Sequence, residues 1–206
     1  METLSAEDLG FGYEEGKWIF RHRSFTVSRG EMLLITGRSG SGKSTLFRCL
    51  MGLYQPGEGR VQLDGKPVSG RELLAGVGFV PAQHTFYAGT VYENITLGDH
   101  TISRETCLQN ARRLSIGDWL EEVGLEHLLL ENASDLSGGQ KQILSVLQAV
   151  NFDAPILILD EPFASLDAGR REKLAAFLEE YKRDHLVILA SHQEEQLDGV
   201  KVCPMG

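Results

Sequence analysis

The chain has 206 residues, 42% of them hydrophobic, and 20 basic against 29 acidic side chains leave a formal net charge of −9. That suits one globular domain, or a domain with a lobe, and gives a poor global field for nucleic acid, so no nucleic-acid partner is expected. Cys49, Cys107 and Cys203 lack any C-x-x-C spacing, which argues against a disulfide framework or zinc site and for a reducing cytosol.

The opening "METLSAEDLG" is acidic and polar, unlike a secretory signal. No aliphatic run nears the roughly 20 residues that span a bilayer. Residues 32–36, "MLLIT", read as a short buried strand that runs into "GRSGSGKST". Leu46, Phe47, Leu50 and Met51 then recur at helical spacing, with Gly52 as a stop. "RVQLDGKPV" reads as a strand and a D-G turn, and "VGFV" at 77–80 as a strand ended by Pro81. From about residue 84 the character changes. Segments such as "RETCLQNARRL" and "GDWLEEV" are rich in Glu, Arg and Leu without strong strand runs, which predicts an inserted helical lobe. The remainder alternates helix ("QKQILSVLQAV"), strand ("ILIL"), helix ("RREKLAAFLEEYKR") and strand ("LVILAS"). Apolar strands alternating with helices predict an α/β fold with a mainly parallel sheet and helices on both faces.

"GRSGSGKS", Gly37 to Ser44, fits G-x-x-x-x-G-K-[ST] between that first strand and its helix. In such a loop the backbone of Gly37, Arg38, Ser39, Gly40, Ser41 and Gly42 wraps phosphates and Lys43 reaches the β and γ phosphates. The Ser44 hydroxyl, next to Thr45, ligates Mg²⁺. A flexible Gly-Ser loop is the plain alternative, and the strand before and helix after argue against it. "ILILDEP" puts Asp160 at a strand end, where it can hold magnesium through water. Glu161 beside it can accept a proton from an attacking water. "LSGGQ" at 136–140 precedes a helix, so Ser137, Gly138, Gly139 and Gln140 lie at a helix N-terminus, with its N–H groups and positive dipole end. Ile143, Leu144, Leu147 and Val150 mark that helix's buried face. This is a second anion site in a chain that already has one.

Phosphate loop, LSGGQ and DEP in this order and spacing resemble the ATPase domain of ATP-binding-cassette (ABC) transporters, exporter-like, over nearly the whole chain. The resemblance implies a P-loop NTPase fold, RecA-like, with N-terminal antiparallel β strands and an inserted helical lobe. The nucleotide-binding core would cover 1–83 and 146–206, and the lobe about 84–145. It also implies ATP and Mg²⁺ as ligands, ATP hydrolysis, and a head-to-tail dimer of two copies or of related cassettes. There Ser137, Gly138, Gly139 and Gln140 serve the γ-phosphate held by the opposite subunit. By the same resemblance Tyr13 in "FGYEEG" stacks on adenine, and Asp167 ends the loop "ASLD" that crosses between protomers. His192 in "LASHQ" contacts the γ-phosphate and positions water. "FYAGTVYENITLGD" looks like the stretch by which exporter-type cassettes meet a helix of the membrane domain.

Three positions depart from the family pattern. A glutamine commonly follows the proline of "VP", where this chain has Ala82, so Gln83 serves as Mg²⁺ ligand and lobe hinge only with a local register shift. Ile143 stands where an arginine is usual, and Phe163 where a small hydroxyl residue is. None removes a phosphate, magnesium or general-base group. The chain is therefore expected to power a transmembrane domain, carried on a separate chain or a removed fusion, from the cytoplasmic face of the membrane. The alternative is a soluble ABC ATPase that acts as a switch on a cytosolic partner. Cargo is chosen by membrane domains and is not legible here.

Overall fold

The computed structural model describes residues 1–205 apart from 15, 69, 131–132, 193–196 and 198. In chain order the elements are β1 (Thr3–Phe11), β2 (Phe20–Ser28), β3 (Met32–Thr36), α1 (Lys43–Leu50), β4 (Glu58–Leu63), β5 (Lys66–Pro67), α2 (Gly70–Ala75), β6 (Val77–Val80), β7 (Gly89–Thr90) and α3 (Val91–Thr96). They continue with α4 (Arg104–Arg113), α5 (Gly117–Val123), β8 (Leu128–Leu129), α6 (Gly138–Asn151), β9 (Ile156–Asp160), α7 (Ala168–Tyr181), β10 (Leu186–Ser191) and β11 (Lys201–Pro204). Two compact units result. One comprises Met1–Val77, Ala154–Glu161 and Tyr181–Gly206, the other Gly78–Asp153 and Pro162–Glu180.

The first unit holds two sheets. The antiparallel one has the order β2-β1-β4-β5, and its β4–β5 turn is the expected Asp64-Gly65, with both residues at positive φ. The parallel one runs β11-β3-β10-β9. Every residue of β9 and β10 is buried, as strands covered on both faces must be, which is why they read as unbroken aliphatic runs. Their register is continuous: Leu157 pairs with Val187 and Asp160 with Ala190, while Val187 pairs with Met32 and Ser191 with Thr36. The last residues of β3, β9 and β10 therefore emerge at one end of the sheet. On α1, Leu46, Phe47 and Leu50 are fully buried, the face their spacing predicts. The chain leaves the helix at Gly52, whose φ of 72° suits glycine. A Cβ there would lie 2.2 Å from the Cα of Gly70, so no larger residue fits.

The second unit is built around α6, whose Leu144, Val146 and Leu147 are fully buried. The expected buried face of Ile143, Leu144, Leu147 and Val150 is the observed one. Helices dominate here, with one addition that composition did not announce: Gly89 and Thr90 pair antiparallel with Leu129 and Leu128. Polar side chains also run through this interior. The Asn151 amide donates to the Ile95 carbonyl (3.1 Å), Asn110 donates to Asn151 Oδ1 (3.0 Å), and Gln148 donates to the Asn94 carbonyl (2.8 Å). Burial is tolerable because these polar atoms find partners.

Asn94 is the most committed of these residues. It has no exposed surface, accepts from the Tyr87 N–H at 3.0 Å, and donates to the carbonyls of Tyr87 and Thr90, both at 3.0 Å. Together with the Thr90–Glu93 capping box that opens α3, it fixes the turn before the helix. Asn94→Ala would orphan three backbone groups and is expected to destabilise the chain by about 2–4 kcal/mol. Urea unfolding followed by circular dichroism measures this, and a loss below about 0.5 kcal/mol would show that solvent replaces the amide.

Candidate functional site

The loop Gly37–Gly42 leaves β3 and enters α1, and five side chains gather beside it. Gly37, Gly40 and Gly42 all have positive φ, at 156°, 79° and 97°; the last two are left-handed conformations that glycine adopts without steric cost. Side chains are also excluded by space. A Cβ on Gly42 would lie 2.8 Å from the Ile19 side chain, and one on Gly37 2.6 Å from Ser41 Oγ. Lys43, only 7% exposed, turns its ammonium back into the loop, donating to the carbonyls of Gly37 (2.7 Å) and Arg38 (3.3 Å). Glu161 Oε1 lies 3.4 Å from the same ammonium. Ser44 Oγ donates to Asp160 Oδ2 at 2.6 Å. The His192 ring donates from Nδ1 to Glu161 Oε2 at 2.7 Å, and the His192 N–H approaches that oxygen at 3.3 Å.

The sequence candidates Lys43, Ser44, Asp160, Glu161 and His192 thus form one cluster. Burial pushes the Asp160 carboxyl above its usual range and Glu161 beside it adds to this, while the Ser44 hydroxyl and the Lys43 and Arg48 cations work against it. A group in that position favours a cation next to it. Ser44 and Asp160 together offer two hard oxygens, which suits magnesium, an ion that takes few protein ligands and completes its shell with water and phosphate. The loop likewise fits a phosphate chain. Ser41 Oγ is buried and among the described residues has no hydrogen-bond partner, and Gly40 faces open space. Glu161 carries a φ of 54°, which is uncommon for a non-glycine residue and typical of strained site positions.

Tyr13 is 60% exposed. Its ring stands edge-on to Phe11 and Tyr54, and its hydroxyl meets Thr45 Oγ1 at 3.3 Å. That bond is the main cause of a lowered phenol pKa. A hollow lined by Gly12, Tyr13, Trp18 and Gly57 opens beside it, and Trp18 is a second flat ring that sequence reading passed over. In the second unit, Ser137 caps α6 with a complete capping box: its Oγ accepts from the Gln140 N–H (3.3 Å), and Gln140 Oε1 accepts from the Ser137 N–H (2.8 Å). Ser137 and Gly138 are exposed. Gly139 is buried, and a Cβ there would lie 3.0 Å from Arg170 Nη1 and 3.2 Å from the Ser165 carbonyl. The second glycine therefore meets an internal constraint, and the first faces outward. Asp167 caps the start of α7, accepting from the Arg170 N–H at 2.9 Å.

A family model described as ABC transporter matches residues 20–164. The chain belongs to the ABC transporter family. It is 31% identical over 191 residues to the probable multidrug resistance ABC transporter ATP-binding/permease protein YheH of Bacillus subtilis, covering 90% of this chain and 28% of that protein. It is 35% identical over 172 residues to the ATP-dependent lipid A-core flippase of Chromobacterium violaceum, covering 81% of this chain and 30% of the flippase. Among solved structures, a bacterial Atm1-family ABC exporter with ATP bound superposes with a TM-score of 0.85 at 28% identity, over 93% of this chain and 35% of that one. The chain thus spans about a third of the length of these relatives. Its fold is that of the ABC ATPase domain, as the motifs implied.

Gln83 is exposed. Of the stretch expected to present a partner surface, Phe86, Val91 and Asn94 are buried, while Tyr87 is 43% exposed and stands alongside Leu128 and Leu130 among the exposed apolar residues of this unit. Sequence reading also missed His84. Its Nε2 lies 3.1 Å from Gln142 Oε1, and both His84 Nδ1 and Gln142 Nε2 are buried without partners among the described residues. Gln142, on α6, is only 1% exposed.

Burial holds the His84 pKa below its usual value, a trend that the Gln142 bond opposes and Lys141 reinforces. The unfolded chain then binds the proton more readily than the folded one, so stability is intact above the ordinary histidine pKa of about 6.5 and falls as pH drops through it toward the folded value. Replacing His84 with Gln should flatten the fall in melting temperature between about pH 7 and pH 5. A pH profile that matches wild type would mean that His84 takes no part in it.

Proposed function

We propose that the chain is the ATP-hydrolysing, nucleotide-binding part of an ABC transporter of the exporter kind. It pairs head-to-tail with a second copy or a related cassette around two ATP molecules, and drives a membrane domain from the cytoplasmic face. The convergence of Lys43, Ser44, Asp160, Glu161 and His192 at one sheet end carries this reading, and the names of the ATP-binding/permease relatives support the coupling to transport. In this reading the nucleotide-binding core covers 1–83 and 146–206 and the lobe about 84–145.

Each residue has a definite task. Gly37 to Gly42 offer backbone N–H groups to the phosphates, and Ser41 adds a hydroxyl that has no other partner among the described residues. Lys43 exchanges its two loop carbonyls for the β and γ phosphates. Tyr13 presents an exposed aromatic ring to adenine. Ser44 and Asp160 would hold magnesium, which would supply positive charge to the phosphate oxygens. Gln83, one residue beyond the usual glutamine position, would be a further magnesium ligand and the lobe hinge given a local register shift. Water attacks the γ-phosphorus, the bond to the β–γ bridging oxygen breaks, and the water proton passes to Glu161, whose Oε2 is oriented by His192. Across the dimer, Ser137 serves the other protomer's γ-phosphate together with Gly138, Gly139 and Gln140. The Ser137 oxygen accepts within its own cap and leaves its hydroxyl proton free to donate outward.

Glu161→Gln tests this site as a whole. The amide keeps the shape of the carboxylate but cannot take the proton, so hydrolysis should fall by about 10²–10⁴. ATP should still bind, and light scattering should show a dimer that accumulates in ATP and not in ADP. Adding Ser137→Arg should dissolve that dimer, and Lys43→Ala should abolish ATP binding in either background. An ATP-independent dimer, or full hydrolysis in the Lys43→Ala variant, would sink the reading.

A further inference from the structure

The second unit contains a pocket of about 200 Å³. It forms where α4 ends, at Leu114, and the chain turns through Ser115, which has a φ of 58°, before α5. The opposite walls are the first turns of α6 and α7. Its body is apolar, made by Leu114, Ile116, Trp119 and Ile143, of which Leu114 and Ile143 are 2% and 4% exposed. Two cations, Arg170 and Lys173, stand on α7 at its edge.

Those cations are poorly neutralised. Among the described residues Arg170 pairs only with Asp167, at 3.2 Å, and with both side chains well exposed the pair is weak. Among the described residues no carboxylate pairs with Lys173. In a chain of net charge −9, a local pair of available cations above an apolar floor is selective for a particular chemistry. The apolar body rewards burial of a hydrophobic group, and the cations reward one anionic oxygen pair at its end. The volume is below that of a drug-sized site, so the occupant is small.

We propose that this pocket binds a small amphiphilic carboxylate, its apolar body against Ile143 and Trp119 and its carboxylate at Lys173 and Arg170. Gly139 and Gln140 belong to the same wall, and Arg170 Nη1 lies 3.0 Å from where a Gly139 side chain would start. A ligand that engages Arg170 is therefore bound directly against the turn that begins α6.

The test uses 4-phenylbutyrate as probe and the uncharged 4-phenylbutanol as control, with no nucleotide present, so its failure leaves the ATPase reading untouched. The chain has two tryptophans, and Trp18→Phe leaves Trp119 as the only indole reporter. Phenylbutyrate should shift Trp119 emission saturably, with phenylbutanol about tenfold weaker or more, the difference a charge-assisted contact makes. Lys173→Glu should weaken the acid by a similar factor and leave the alcohol unchanged, and Ile143→Arg should remove binding of both. Lys173 is exposed, so that variant keeps the test decisive even where melting shows that Ile143→Arg fails to fold. Equal affinity for acid and alcohol, no saturation by about 10 mM, which is weaker than the millimolar end of the affinity scale, or binding unchanged in Lys173→Glu would each overturn the proposal.

Discussion

The candidate nucleotide site depends on one constraint, the unbroken parallel register of β3, β10 and β9. Because Ser191 pairs with Thr36 and Asp160 with Ala190, three chain segments leave the sheet at the same end. The residues just beyond those strands are thereby made neighbours: the glycine loop after β3, Glu161 after β9 and His192 after β10. Carboxyl ends of parallel strands are where open α/β sheets place ligands. A slip of one residue in any of these pairings would turn each side chain to the opposite face. The aliphatic runs "MLLIT", "ILIL" and "LVIL" hold the register by burying both faces, so the site's geometry is secured by residues that are almost all without polar side-chain atoms.

Charge at that sheet end is held in an unsettled balance. Lys43 is buried and bonded to carbonyls, Asp160 is buried where its ionised form is disfavoured, and Glu161 is shared between Lys43 and His192. A buried cluster of this kind contributes little net stability, since desolvation offsets attraction. Ser41 Oγ is left without a partner among the described residues, and Glu161 holds an unfavourable backbone angle. Those costs are borne by the folded core around them. They leave the cluster responsive to a ligand that brings negative phosphate oxygens to Lys43 and a cation to Asp160, because binding to the folded state alone stabilises it by mass action.

Local patterns in the sequence carried most of this. The strand-loop-helix at 32–50, the strand ending in Asp160 and the helix after LSGGQ each rest on contacts between near neighbours, so periodicity and turn chemistry identify them. In the antiparallel sheet β4 and its D-G turn are legible in "RVQLDGKPV", while the N-terminal strands β1 and β2 were expected only through resemblance. β1 reads "TLSAEDLGF", and a register irregularity between Ala6 and Leu9, with Asp8 at positive φ, blurs its alternation. The β7–β8 pair is two residues long on each side, too short to show in composition. His84 and Gln142 are separated by 58 residues, and nothing local marks either as buried. Asn94 looked like part of a surface stretch because its partners are backbone groups, which leave no trace in side-chain pattern. The reason for Gly139 was also hidden, since the Ser165 carbonyl that would crowd a side chain comes from a distant part of the second unit's sequence.

The α6 cap shows how one short run can meet two demands. An α-helix leaves its first N–H groups without partners inside the helix. Here the capping box settles two donors, those of Ser137 and Gln140, and the Lys141 N–H starts the ladder at the Ser137 carbonyl. The donors of Gly138 and Gly139 remain, at the positive end of a helix dipole, and glycine leaves no side chain beside them. The same box locks the Ser137 rotamer, so its hydroxyl is oriented before any anion arrives and the ordering cost of binding is reduced. Below it, Ile143, Leu144 and Leu147 fix the helix by burial. A terminus that is rigid, uncapped at two N–H groups and stripped of side chains there has a definite chemical preference, and that preference is an anion.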